Sequence, residues 1–162
     1  MLKISRKKFI LGAVVAGAGA GACLCGLNGC ATLSKIGGVP AIKTGACIFD
    51  KGNLKIVLSK VPELKVVGGS VKVIDSRLVE PVIIVRTGES DYAVVSIKCP
   101  HRGVEVEYRH KEQQFRCASL GHSTFKLDGS LKRGLAKKAL TRYDAIVDSA
   151  DPNCLVIANV CC

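Results

Sequence analysis

The sequence predicts an all-β fold, and three observations lead to it. Helical periodicity is poor after residue 45, and short runs rich in Val and Ile recur instead, each ended by Gly, Pro, Asp or Ser. The chain is 48% apolar but only 4% aromatic, so β-branched aliphatic side chains must fill the interior, which suits short strands. Its 162 residues allow one such domain and an N-terminal appendage.

Six of these apolar runs are predicted to be strands. One of them alternates apolar and charged residues, which is typical of a half-buried edge strand or hairpin strand. That run is Val104–Tyr108. The other five are Leu54–Leu58, Val71–Ile74, Val82–Val85, Ala93–Ile97 and Leu155–Ala158.

The N-terminus has the pattern of a secretory signal or a short membrane anchor. Residues 9–27 are apolar and uncharged, and they follow four basic residues whose side we expect to stay in the cytoplasm. Ser5–Ile10 resembles a twin-arginine signal in which Lys7 replaces the second arginine, so export of the unfolded chain is the alternative. The domain is therefore expected to be membrane-anchored on the outer, periplasmic or extracytoplasmic face.

Two ways of tethering the domain remain open. The segment Leu27-Asn28-Gly29-Cys30 resembles a lipobox, which makes Cys30 a candidate for lipidation after cleavage. Alternatively residues 9–27 remain as an uncleaved helix, since their length approaches the ~20 residues that span a bilayer. We expect residues 1–30 to be the signal or anchor, 31–44 a linker because they contain Gly37, Gly38 and Pro40, and 45–162 the folded domain.

The net charge is +11, which favours acidic partners or anionic lipid headgroups. Nucleic acid is not expected as a partner. The basic residues are scattered along the chain and few aromatic side chains lie among them.

Two short stretches carry the candidate site residues. Cys99-Pro100-His101-Arg102-Gly103 pairs a thiolate with an imidazole, and Cys117-Ala118-Ser119-Leu120-Gly121-His122 does so again. Fifteen residues lie between His101 and Cys117. His110, the third histidine of the chain, lies between the two stretches and is expected to be exposed.

In this order, and with the sequence around them, the two stretches resemble the Rieske family over roughly Val61 to Tyr143. Before the first stretch, Pro81–Arg86 and Tyr92–Ile97 flank a polar turn, which is similar to the family's hairpin. After the second stretch come a Phe-x-x-x-Gly turn, a Gly-Leu-Ala segment with leucine where proline is common, and Leu-x-Arg-Tyr. These are Phe125–Gly129, Gly134–Ala136 and Leu140–Tyr143.

The resemblance implies a base of antiparallel sheets with a small cluster-binding subdomain at about residues 97–129. It also implies a [2Fe–2S] cluster with Cys99 and Cys117 on one iron and His101 and His122 on the other. The second stretch departs from the usual Cys-x-x-His-Gly, because Leu120 occupies the place of the histidine. Either the loop is longer and His122 is the ligand, or this half of the site has degenerated.

Because imidazole is neutral where thiolate is negative, a Rieske cluster has a higher potential than a plant-type ferredoxin cluster and can oxidise a quinol. Two cysteines that form a loop disulfide in many high-potential members are replaced here by Val104 and Ser119. Ser123 or Thr124 is a candidate hydroxyl donor to a bridging sulfide, which would raise the potential, and a solvated loop residue is the alternative. We expect a potential in the lower-to-middle part of the family's range of roughly −150 to +300 mV.

The other cysteines have separate interpretations. Cys23 and Cys25 lie in the apolar leader, and four more belong to the domain: Cys47, Cys154, Cys161 and Cys162. In an oxidising compartment some are expected to form disulfides, with Cys47 and Cys154 the candidate pair. A second metal site made from these cysteines is the alternative.

The expected function is electron transfer by a membrane-tethered iron–sulfur subunit rather than by a complete enzyme. Its implied partners are a quinol-oxidising cytochrome b-type subunit or another redox subunit, and a cytochrome-like acceptor. One alternative is a ferredoxin-like carrier or a small subunit of a periplasmic oxidoreductase such as arsenite oxidase. Another is a cluster-free structural lipoprotein with the same fold. Mononuclear-iron oxygenases also contain Rieske domains, but the chain is too short for the further domain that they need.

Overall fold

The computed structural model describes residues 38–43 and 45–161, and these residues are nearly all β, as predicted. Two short 3₁₀ helices, Leu58–Lys60 and Pro62–Lys65, interrupt the strands. Within this part of the chain no helix is long and apolar enough to span a bilayer. The predicted signal or anchor with Cys30, most of the predicted linker, and Cys162 lie outside the described residues.

Twelve strands are present in the described residues. They are β1 (Cys47–Asp50), β2 (Asn53–Val57), β3 (Ser70–Val73), β4 (Val82–Arg86), β5 (Tyr92–Ser96), β6 (Val106–Arg109), β7 (Gln114–Cys117), β8 (Thr124–Phe125), β9 (Leu131–Arg133), β10 (Arg142–Tyr143), β11 (Ala145–Val147) and β12 (Cys154–Ile157).

The strands form three antiparallel sheets of four strands each. We call them the base sheet, with strand order β1-β2-β12-β11, the central sheet, β10-β5-β4-β3, and the site sheet, β6-β7-β8-β9. Consecutive strands of the site sheet are neighbours, so it is a meander, and its β6–β7 hairpin pairs Val106 with Cys117. The base sheet instead joins the two ends of the domain, because β12 pairs with β2.

The central sheet is apolar on both faces because it packs between two hydrophobic clusters. Val82 and Ile84 of β4 belong to a cluster with the base sheet, whereas Ile83 and Val85 belong to a cluster with the site sheet. Successive strand residues point to opposite faces, so a strand that is covered on both sides is a continuous apolar run. The second cluster also contains Cys99 and Cys117, which places both thiols at the edge of the hydrophobic core.

All six predicted strands are present, with bounds that differ by at most two residues. The hairpin expected before the first cysteine stretch is the β4–β5 pair, and Val104–Tyr108 was correctly predicted as an edge strand, since β6 is the edge of the site sheet. Six further strands were not predicted: β1, β7, β8, β9, β10 and β11. Four of them, β8 to β11, have only two or three residues, too few to show a period of two.

The predicted Cys47–Cys154 disulfide is wrong. Cys47 lies opposite Ile56 of β2, and Cys154 lies opposite Val57, the next residue of the same strand. Adjacent positions on one strand face opposite sides of the sheet, so the two thiols point away from each other. Both are free cysteines in the structure, and burial raises the pKa of Cys47 to about 11.

The chain enters the domain along β3. The N–H of Ile42 donates to the carbonyl of Lys72 at 2.9 Å, and the N–H of Lys72 donates to the carbonyl of Pro40 at 2.8 Å. The Lys72 ammonium reaches Glu105 at 3.0 Å, directly before the site sheet. Residues 40–42 thus extend the edge of the central sheet.

Candidate metal centre

The first ligand loop, residues 99–104, connects β5 to β6 and is closed by its own backbone. The N–H of Cys99 donates to the carbonyl of Val104 at 2.9 Å, and the N–H of Gly103 donates back to the carbonyl of Cys99 at 2.7 Å. Gly103 has a φ of +69°, a conformation that glycine adopts without steric cost. This tight turn sets Cys99 and His101 in a fixed relation, and it explains why a glycine follows the Cys-Pro-His-Arg sequence.

The second ligand loop, residues 117–123, connects β7 to β8. The N–H of Cys117 donates to the carbonyl of Ser123 at 2.8 Å, and the N–H of His122 donates to the carbonyl of Ser119 at 2.9 Å. The left-handed residue of this loop is His122, with a φ of +40°, rather than the glycine before it. Gly121 instead packs against the exposed Leu135, because a Cβ there would lie 2.9 Å from the Cδ1 of that side chain.

The two loops meet so that their cysteines are adjacent. The N–H of Ala118 donates to the carbonyl of Glu105 at 3.0 Å, which joins the second loop to the residue that follows the first. Cys99 and Cys117 are each 1% exposed, and their thiols are within hydrogen-bond reach of each other. Burial raises the pKa of the Cys99 thiol, and the neighbouring Cys117 raises it further.

Polar groups lie beside both sulfurs. The backbone N–H groups of His101 and Arg102 favour the thiolate of Cys99 and oppose the rise in its pKa, but burial outweighs them. The Oγ of Ser119 lies 3.2 Å from the Sγ of Cys117, and the Cys117 thiol faces the carbonyl oxygen of Val104 at 4.0 Å. Hydrogen-bonding groups therefore lie within reach of both buried sulfurs.

The two histidines take different positions. His101 is half-buried, whereas His122 is exposed, and the Nδ1 of His122 lies 3.5 Å from the carbonyl oxygen of Cys117 in its own loop. Among the residues that the structure describes, no three Cys, His, Asp or Glu side chains are arranged to bind a metal. The structure thus brings the two predicted cysteines together, and it does not bring the histidines into one group with them.

A segment after β9 supports the second ligand loop. The N–H of Ala136 donates to the Oγ of Ser123 at 3.0 Å, and Ser123 is 1% exposed. Gly134, with a φ of +118°, lies so close to Ser123 that a Cβ would be 2.4 Å from its Cα. The Gly-Leu-Ala sequence is therefore part of the site, because it packs against residues 121–123.

Sequence reasoning missed Ser119 as a contact of a ligand sulfur and named Ser123 or Thr124 instead. A signal was present, since Ser119 lies two residues after Cys117, but the displaced histidine made the register ambiguous. His110 is exposed, as expected, and its Nδ1 lies 3.4 Å from the hydroxyl of Tyr108, away from the ligand loops.

A family model of the Rieske [2Fe-2S] domain matches residues 55–144, more than half of the chain. The chain belongs to the Rieske family. It is a Rieske-type electron-transfer protein, and its domain implies a [2Fe–2S] cluster. The adjacent buried thiols and the donors around them fit the cysteine half of such a cluster. Rieske proteins exchange electrons with redox partners, so this chain has such partners as well.

Solved Rieske structures are similar to this one. The cyanobacterial plasma membrane Rieske protein PetC3 from Synechocystis PCC 6803 is 24% identical with a TM-score of 0.49, over 60% of this chain and 92% of that one. The ferredoxin of carbazole 1,9a-dioxygenase from Nocardioides aromaticivorans IC177 is 17% identical with a TM-score of 0.49, and the match covers 63% of this chain and 91% of that one. The quaternary ammonium Rieske monooxygenase CntA is 21% identical with a TM-score of 0.44, and the match covers 60% of this chain and 29% of that one. No curated protein sequence matches the chain.

Proposed function

We propose that this protein is the membrane-tethered iron–sulfur subunit of a quinol:acceptor oxidoreductase, with Cys99 and Cys117 on one iron and His101 and His122 on the other. The observation that carries the proposal is the pair of thiols, each 1% exposed, which two separate loops bring together at the edge of the core. Two neighbouring thiols on separate loops can supply the two thiolate ligands of one iron, because a bound metal cation displaces their protons.

The protein's own residues supply the environment for electron transfer. When bound, the cluster takes up and releases one electron. The N–H groups of His101 and Arg102 and the hydroxyl of Ser119 stabilise negative charge on the sulfurs, which favours the reduced form. The backbone bonds that close the first ligand loop fix its geometry in both oxidation states, so little reorganisation accompanies each transfer.

In this proposal residues 1–30 are the signal or anchor, with Cys30 as the lipidation site in the cleaved form. Residues 31–44 form the linker, and 45–162 form the Rieske domain on the outer face of the membrane. The apolar residues 9–27 behind four basic residues support the tether. The partners are a cytochrome b-type subunit that oxidises quinol and a cytochrome-like acceptor.

A second candidate function is the small Rieske subunit of a periplasmic oxidoreductase such as arsenite oxidase. The observation that favours it is the lack of a loop disulfide: Val104 and Ser119 stand where many high-potential members have cysteines. Co-purification of the full-length protein distinguishes the two. A cytochrome b subunit supports the first function, and a molybdenum subunit supports the second.

The test of the ligand assignment is an EPR spectrum of the reduced full-length protein, together with its iron and sulfide content. We expect a Rieske-type spectrum that His122→Ala abolishes and that the control His110→Ala leaves unchanged, because His110 lies outside the ligand loops. A folded protein that takes up no cluster under conditions that load another Rieske protein would favour the cluster-free interpretation. A spectrum typical of four cysteine ligands would mean that other residues bind the iron.

A further inference from the structure

A groove of about 510 Å³ lies beside the first ligand loop. Its lining residues are Pro100, His101, Leu135, Lys137 and Lys138. Pro100 and Leu135 offer apolar surface, and Lys137 and Lys138 carry positive charge. None of these described lining residues is acidic. His101 of the first ligand loop therefore borders a groove that is both apolar and positively charged.

The apolar part of this surface extends past the groove. Leu135 is 61% exposed, and Leu120 in the second ligand loop is 97% exposed. They belong to adjoining segments, because Leu135 packs against Gly121, the residue that follows Leu120. We call Pro100, His101, Leu120, Leu135, Lys137 and Lys138 the leucine–lysine face. Single exposed leucines are ordinary, but Leu135 in the groove and Leu120 in the adjoining loop both add exposed apolar surface there, and apolar patches of this kind mark interaction sites.

The positive charge of the face is not neutralised within the domain. In the part of the chain that the structure describes, neither Lys137 nor Lys138 forms an ion pair, and both are exposed. Arg102 in the first ligand loop and Arg133 at the end of β9 are exposed as well. A partner that carries carboxylates around an apolar centre would complement this arrangement.

We propose that the leucine–lysine face is the docking surface for an acidic redox protein. The apolar centre of the partner covers Leu120 and Leu135, and its carboxylates pair with Lys137 and Lys138, which brings its redox centre next to His101. A concave groove accepts a protruding side chain of a protein, whereas a planar lipid surface does not fill it. The inference rests on the proposed function, since a docking site beside His101 serves electron exchange only if a cluster is bound there.

The test uses a plant-type ferredoxin, which is acidic and has a low potential, with the full-length protein. Calorimetry measures the binding of oxidised ferredoxin. Stopped-flow mixing measures the rate at which reduced ferredoxin passes one electron to the oxidised form of this protein. We expect the double variant Lys137→Gln/Lys138→Gln to weaken binding about tenfold and to reduce the salt dependence of the transfer rate. Leu120→Ser/Leu135→Ser weakens binding but leaves the salt dependence unchanged.

The matched control is Lys65→Gln/Lys111→Gln, which removes the same charge from exposed positions. Lys65 ends a 3₁₀ helix, and Lys111 lies in the β6–β7 turn, at the opposite end of that hairpin from Cys117. We expect this control to change binding less than twofold. An equal loss in both double variants would overturn the proposal, because the net charge alone would then attract the ferredoxin.

Vesicles containing phosphatidylglycerol provide the other comparison. If Lys137→Gln/Lys138→Gln removes vesicle binding and leaves ferredoxin binding unchanged, the face contacts a membrane and the proposal is wrong. Binding of oxidised ferredoxin requires no cluster, so calorimetry tests the face even if the EPR spectrum shows none. A missing cluster with intact, lysine-dependent binding would count against the proposed function and in favour of the docking face.

Discussion

The two ligand loops present the same donor pair, one cysteine and one histidine, but they are stabilised differently. The first ligand loop is closed by its own hydrogen bonds between Cys99, Gly103 and Val104. The second has two such bonds of its own, but neighbours support it as well, since Ser123 accepts a hydrogen bond from Ala136 and Gly121 packs against Leu135. A loop with support from its surroundings tolerates a change in its own sequence, and this is the loop in which Leu120 stands in the place of the usual histidine.

The exposure of the second ligand loop agrees with that view. Leu120, which replaces the usual histidine, is 97% exposed, so its side chain does not have to fit into the packed interior. Cys117 is nevertheless 1% exposed, in the hydrophobic cluster with Cys99. The change in sequence is therefore confined to the outer end of the loop, and the sulfur keeps its place.

The largest expected effect tests whether both loops supply a cysteine ligand to the cluster despite this difference. Cys99→Ala and Cys117→Ala should each remove all iron and labile sulfide, because each takes away one of the two thiolates. Cys154→Ala is the control, since that cysteine lies in the base sheet and should leave the iron content unchanged. Iron retained in Cys117→Ala would show that only the first loop is a ligand loop.

The next effect tests the external support of the second ligand loop. At Gly134, a Cβ would lie 2.4 Å from the Cα of Ser123, and the φ of +118° is unfavourable for any other residue. We expect Gly134→Ala to lower the free energy of unfolding by about 3 kcal/mol, from overpacking and backbone strain together. Urea denaturation of the cluster-free protein measures it, and a loss below about 1 kcal/mol would mean that the segment moves aside at little cost.

A smaller effect is expected for Gly103→Ala in the first ligand loop. No atom lies within 4 Å of a Cβ at Gly103, so the only penalty is the φ of +69°. The cost should be about 1 kcal/mol in the same denaturation experiment. If Gly103→Ala proved as damaging as Gly134→Ala, the first ligand loop would also depend on close packing, and the contrast between the loops would fail.

The fold was predictable where strands are long or covered on both faces. β4 and β5 are continuous runs of Val, Ile and Ala because the central sheet is buried between two clusters, and such runs are visible in a sequence. β8 and β10 have two residues each and exist because neighbouring strands pair with them. Pairing partners distant in sequence were not predictable from one chain, and the Cys47–Cys154 error has the same cause.

The candidate site was predictable in its residue types but not in its supports. Cys99 and Cys117 were identified from their Cys–His stretches and the family resemblance that these carry, and the structure places them together. The contacts of Gly134 and Leu135 with residues 121–123 required the fold, because they join segments that are more than ten residues apart. The same holds for Glu105, whose carbonyl accepts a hydrogen bond from Ala118 of the second ligand loop.

The smallest expected effect concerns Ser119, which lies only in the second ligand loop and has no counterpart in the first. Its Oγ is 3.2 Å from the Sγ of Cys117, and a donated hydrogen bond stabilises the more negative, reduced form of the cluster. Losing about 1 kcal/mol of that stabilisation corresponds to about 40 mV for one electron, so Ser119→Ala should lower the potential by that amount. Protein-film voltammetry measures it, and Ser119→Thr should restore the potential because it keeps the hydroxyl.

The comparison with Ser123 decides which hydroxyl acts on the sulfur. The Oγ of Ser123 already accepts the N–H of Ala136, so Ser123→Ala should affect stability more than potential. The reverse result would be a lower potential in Ser123→Ala and an unchanged potential in Ser119→Ala. It would assign the hydroxyl donor to Ser123, one of the two positions that the sequence suggested. In either case we expect the unmodified protein in the lower-to-middle part of roughly −150 to +300 mV, because no disulfide draws its two ligand loops together.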